Sequence, residues 1–92
     1  IKGAEMAKKL FIVQGIYKVG TDFPEGSFIF DSNEEDTEIE MDLPDEEYFN
    51  FYLDKKHGYA CRLNLKKGDK LTIRSNLYVT KVEMLDFSDN AE

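Results

Sequence analysis

Few residues in this chain are equipped for covalent chemistry. Its single histidine, His57, lies in a turn-like run, Asp54-Lys55-Lys56-His57-Gly58, and its single cysteine, Cys61, follows four residues later. A cysteine or serine nucleophile needs a histidine within hydrogen-bond reach and a third group to orient it. The alternation of the run that follows points Cys61 to the same side as Leu63, so the pair reads as an exposed turn histidine and an inward structural cysteine. Structural zinc wants four Cys or His ligands, and the chain holds two. One cysteine also means no internal disulfide.

Oxygen ligands are more plentiful. Asp31, Asn33 and Glu35 occupy alternate positions, and Asp42 falls twelfth counting from Asp31, which echoes an EF-hand loop. The glycine such a loop needs at its sixth position is Asp36, and the closing glutamate is an aspartate. A looser calcium site in the Asp31–Asp36 loop, with Asp31, Asn33, Glu35 and Asp36 as ligands, is the one cofactor these residues suggest. A solvated acidic face is the plainer account of them. Paired carboxylates for glycoside hydrolysis can be drawn anywhere in so acidic a chain. That chemistry needs a cleft that keeps one carboxyl protonated, which small domains with outward-facing acids seldom provide. The expectation is a protein that is not an enzyme.

The side chains suited to non-covalent work are aromatic and charged. In Tyr48-Phe49-Asn50-Phe51-Tyr52-Leu53, strand alternation puts Tyr48, Asn50 and Tyr52 on one face and Phe49, Phe51 and Leu53 on the other. Two tyrosines flanking an amide can stack sugar rings or anchor a protein partner. A covering loop or second sheet would be the structural use of the same residues. Charge is segregated as well. From Asp31 to Glu47 there are ten acids and no base, and from Lys55 to Arg74 seven bases and one acid, Asp69. Such patches can neutralise each other across strands, guard sheet edges, or dock one copy on another. The whole chain carries a net charge of −7 over 92 residues, the opposite of what nucleic acid or an anionic membrane surface attracts. No run approaches the roughly twenty apolar residues of a membrane helix, so no direct membrane insertion is expected.

The elements that position these residues are organised around Gly15–Gly26, G-I-Y-K-V-G-T-D-F-P-E-G. Ile16–Val19 is strand-like, Gly20 stops it, and Asp22 is suited to nucleate a turn. Phe23-Pro24-Glu25-Gly26 fits a type I turn, with proline second and glycine fourth. Phe23 should fold inward as an anchor, and Ser27–Phe30 resumes as strand. The pattern G-x-Y-x-V-G-x-D-h-P-x-G, where h is hydrophobic, resembles a segment of uncharacterised small β-domains from Gram-positive bacteria. The match covers Gly15–Phe30 and, more loosely, Leu63–Ile73, about a third of the chain. Phe23 stands where an aliphatic residue is usual. The resemblance implies a β-domain of a longer protein that is extracellular or associated with the cell envelope, and it brings no catalytic residue.

Elsewhere, Lys9–Gln14 alternates poorly and its centre, Leu10–Val13, is apolar throughout, as a strand covered on both faces would be. Thr37–Leu43 alternates strictly, with Ile39, Met41 and Leu43 opposite Glu38, Glu40 and Asp42. Pro44–Tyr48 suits at most one helical turn. Tyr48–Leu53, Tyr59–Leu65, Lys70–Arg74 and Leu77–Leu85 complete the strands. Lys66-Lys67-Gly68 fits a three-residue hairpin loop. About eight short, evenly spaced strands predict an all-β antiparallel sandwich, jelly-roll-like or immunoglobulin-like. The domain should span residues 9–86, between a disordered or linker end at 1–8 and a loose C-terminal end at 87–92. The function these features suggest is a non-catalytic binding module with a protein or glycan partner. A cell-wall glycan-binding module and a self-associating structural spacer are the rivals.

Overall fold

A computed structural model describes residues 9–82. The eight expected strands are present: β1 Lys9–Ile12, β2 Gly15–Lys18, β3 Gly26–Asp31, β4 Thr37–Asp42, β5 Tyr48–Leu53, β6 Ala60–Leu65, β7 Lys70–Ile73 and β8 Leu77–Lys81. The expected continuation of the last strand to Leu85 and both terminal segments lie outside the described residues. All pairings between these strands are antiparallel, in two four-stranded sheets ordered β1-β8-β3-β6 and β2-β7-β4-β5. Each strand of the first half pairs with its mirror in the second: β1 with β8, β2 with β7, β3 with β6, β4 with β5. The chain is one long hairpin rolled into a sandwich, the arrangement of a jelly roll.

Alternation dictates the core. Phe28 and Phe30 of β3, Ile39 and Met41 of β4, Leu63 and Leu65 of β6, Leu71 and Ile73 of β7, and Leu77 and Val79 of β8 are all buried between the sheets. Phe23 joins them as expected, with its ring centroid 4.9 Å from that of Phe28 and 6.0 Å from that of Phe30. Edge-on and offset contacts of this kind stabilise beyond simple area burial.

The connections depart from expectation in physically instructive ways. The turn before β3 lies earlier than Phe23–Gly26: the N–H groups of Thr21, Asp22 and Phe23 converge on the Lys18 carbonyl at 3.1, 2.7 and 3.2 Å. Asp22 Oδ2 accepts the Lys18 N–H at 2.9 Å and locks this turn, leaving Pro24-Glu25 as a bend. Pro44–Tyr48 forms no helical turn. Leu43 N–H donates to the Glu47 carbonyl at 2.8 Å, and Glu46 takes the left-handed region at φ 73°, which makes Pro44–Glu46 a three-residue hairpin loop. The loop expected to close a hairpin, Lys66–Gly68, has turn geometry, with Asp69 N–H donating to the Lys66 carbonyl at 3.0 Å. It nevertheless carries the chain from one sheet to the other, as does Asp54–Gly58. Among the described strands, only β4 and β5 are consecutive in the chain and paired with each other. Finally, β1 is not covered on both faces. It is an edge strand, and Phe11 is 56% exposed.

Candidate functional site

The outward positions of the β2-β7-β4-β5 sheet assemble residues that are far apart in sequence. Register places Ile16, Thr72, Glu40 and Asn50 in one row and Lys18, Lys70, Asp42 and Tyr48 in the next, with Glu38 opposite Tyr52. The face is therefore built in columns: Lys70 and Thr72 on β7, acids on β4, tyrosines and an amide on β5. Tyr48 and Tyr52 are 63% and 47% exposed, and no element covers this face among the described residues. Four residues of strand hold their rings about 13 Å apart. The Asn50 Nδ2 donates to the Tyr52 hydroxyl at 3.5 Å.

The acids are not an isolated negative strip. Arg74, just past β7, reaches Glu38 with Nε at 3.3 Å and Glu40 with Nη2 at 3.2 Å, and Lys70 Nζ lies 3.6 Å from Asp42 Oδ2. These half-exposed pairs contribute about 1 kcal/mol or less each to stability, but they fix the carboxylates in place. The acidic segment also divides in space. Asp31 projects from the other sheet, opposite Tyr78 and Ala60, so Asp31–Asp42 is not one surface. Sequence reasoning missed Arg74 as the organising cation, because its partners are 34 and 36 residues away and only register joins them. Beside Arg74, residues Gln14, Gly15, Ile16, Thr72 and Ile73 complete an open groove of about 310 Å³.

The remaining candidates are placed as follows. In the Asp31–Asp36 loop, Asp31 Oδ1 accepts the Asn33 N–H at 2.7 Å, and Asn33 and Glu34 take left-handed φ values of 58° and 68°. Among the described residues no three His, Cys, Asp or Glu side chains are grouped to hold a metal ion. Tyr59 lies near this loop, and its hydroxyl is pushed above the usual phenol range by loss of water and by the charges of Asp36, Glu34 and Asp54. His57 bonds Asp54, with Nδ1 2.8 Å and N–H 2.7 Å from Oδ1. These contacts hold the Asp54 carboxyl below its ordinary value. The His57 ring lies 5.8 Å from that of Tyr52, extending the aromatic column by one ring. Cys61 is part-buried on the inner side, and burial pushes its thiol up to about 11, the wrong direction for a nucleophile. A buried acid was not foreseen: Asp69, in the basic turn, accepts the Lys66 N–H at 3.0 Å and organises that loop.

No protein-family model, curated protein or solved structure matches this chain.

Proposed function

We propose that this domain is a non-catalytic binding module whose working surface is the outer face of the β2-β7-β4-β5 sheet, and that it serves a longer, envelope-associated protein. The observation that carries the reading is the pair of exposed tyrosines, Tyr48 and Tyr52, on one strand with Asn50 between them. Placing so much aromatic surface in water contributes nothing to the fold, whereas it suits a ligand with flat apolar faces and polar rims. Glycan chains have that character. Pyranose faces stack on tyrosine rings, and their hydroxyls bond to amide, carboxylate and guanidinium groups such as those of Asn50, Glu40 and Arg74. Carboxylates pinned by Arg74 and Lys70 present acceptors without mobile side chains to order, which lowers the cost of binding. The resemblance of Gly15–Phe30 to Gram-positive envelope domains adds the cell wall as the glycan source.

The test is co-sedimentation with insoluble bacterial cell wall, with and without calcium, beside the Tyr48→Ala/Tyr52→Ala double variant. Saturable binding that the double variant loses supports the reading. Absence of binding by the unsubstituted domain overturns the glycan ligand and leaves a protein-binding or spacer role.

A further inference from the structure

We infer that two copies of this chain associate through β5, pairing antiparallel about a two-fold axis at Asn50 to join their β2-β7-β4-β5 sheets into one continuous sheet. Among the described residues, four strands lie at sheet edges: β1, β2, β5 and β6. Three of them carry a basic residue, Lys9, Lys18 and Arg62, of the kind that discourages strand addition. The fourth, β5, is Tyr-Phe-Asn-Phe-Tyr-Leu: six residues with no charge, proline or glycine. Such a segment at an exposed edge offers its unpaired N–H and C=O groups to another strand with no charge to repel it.

Backbone geometry fixes the register. Leu43 N–H donates to the Glu47 carbonyl, so 43 and 47 form a hydrogen-bonded pair. Alternation along the β4–β5 ladder then turns the peptide groups of Phe49 and Phe51 toward β4 and those of Tyr48, Asn50 and Tyr52 off the edge. A two-fold axis at Asn50 sets Tyr48 opposite Tyr52 of the second copy, Asn50 opposite its own equivalent, and Phe49 opposite Phe51. Every outward peptide group is then at a bonding position, giving about six new hydrogen bonds. The same operation covers Phe49, which is 44% exposed on the inner side. The strand is flanked by Asp45, Glu46 and Glu47 before it and by Lys55 and Lys56 after it. The two-fold therefore brings the acidic end of one copy to the basic end of the other, Asp45 level with Lys55. Glu46 falls level with Asp54, whose charge is already engaged by His57. This self-complementarity of register and charge selects a second copy over an unrelated strand. The tyrosine faces of both copies remain outward.

Sedimentation equilibrium of the 92-residue chain, without any glycan, tests the inference independently of the proposed ligand. The expected result is a concentration-dependent dimer. Asn50→Lys, which sets two ammonium groups face to face at the axis, should weaken it by about tenfold or more, while the unfolding midpoint measured at concentrations where both chains are monomeric holds. Ile16→Lys, adding the same charge to the β2 edge, should leave the dimer unchanged. A monomer at every concentration, open-ended assembly, or a dimer indifferent to Asn50→Lys would overturn it.

Discussion

Strands β3 and β5 are the same length and both carry phenylalanines two residues apart, yet they do opposite work. Phe28 and Phe30 of β3 are buried, and they pack on Phe23 in a closed aromatic cluster. Phe49 and Phe51 of β5 touch each other at 6.3 Å but remain partly in water. Each strand carries the same Phe-x-Phe pair. Their place in the strand order is not: β3 lies between β8 and β6, and β5 lies at an edge. Position in the topology, more than residue type, decides whether an aromatic pair stabilises the fold or is offered to a partner.

The comparison is broken most severely by truncating one ring in each strand. Phe30→Ala should cost about 3–5 kcal/mol of stability, from lost burial plus the cavity left behind. Phe49→Ala, half in water already, should cost about 1 kcal/mol. Urea denaturation midpoints of the two variants measure the gap, and equal losses would erase the distinction. Next in size is the turn that feeds β3. Gly20 has φ 98°, and a Cβ there would sit 2.8 Å from Lys67 Cγ. Gly20→Ala should therefore cost about 1–2 kcal/mol in thermal unfolding, by strain rather than lost packing. On the β5 side of the comparison, Arg74→Ala removes both guanidinium contacts with β4. Because Arg74 is half exposed, the loss should stay near 1 kcal/mol or below and shrink as salt is added.

Near neutral pH the smallest effect is that of Cys61. Burial raises its thiol from 9.0 to about 11, so the folded chain holds that proton over a range where the unfolded chain releases it. Stability from this group is intact below pH 9.0 and declines as pH rises toward about 11. Alkylation by iodoacetamide near pH 8 should correspondingly be slow in the folded protein and accelerate in urea.

Much of the fold is legible in the sequence because strand alternation is local. Thr37–Leu43 and Tyr48–Leu53 show their two faces without any partner in view, and Phe23 announces itself by the proline after it. Pairing is another matter. The Lys66–Gly68 loop has the residues of a hairpin turn, and its local chemistry is met, but nothing in those residues says that the next strand belongs to the opposite sheet. An apolar run such as Leu10–Val13 reads alike whether it is enclosed or at an edge. The candidate face is legible in one column only, the Tyr48, Asn50 and Tyr52 alternation. Its charged columns arise from register between β4 and β7, which brings Arg74 to Glu38 and Glu40 across more than thirty residues. Asp69 escapes notice because a buried acid in a lysine-rich turn depends on backbone N–H groups that only the folded loop supplies.

The central claim is that the outer face of the β2-β7-β4-β5 sheet is the binding surface. Amide shift mapping of the isotopically labelled domain, titrated with soluble peptidoglycan fragments, tests it most directly. The account predicts saturable shifts concentrated at Tyr48, Asn50, Tyr52, Glu40 and Thr72, with Phe11, Ile29 and Tyr78 on the opposite sheet unmoved. Shifts centred on Phe11, Ile29 and Tyr78, or none at saturating fragment, would contradict it.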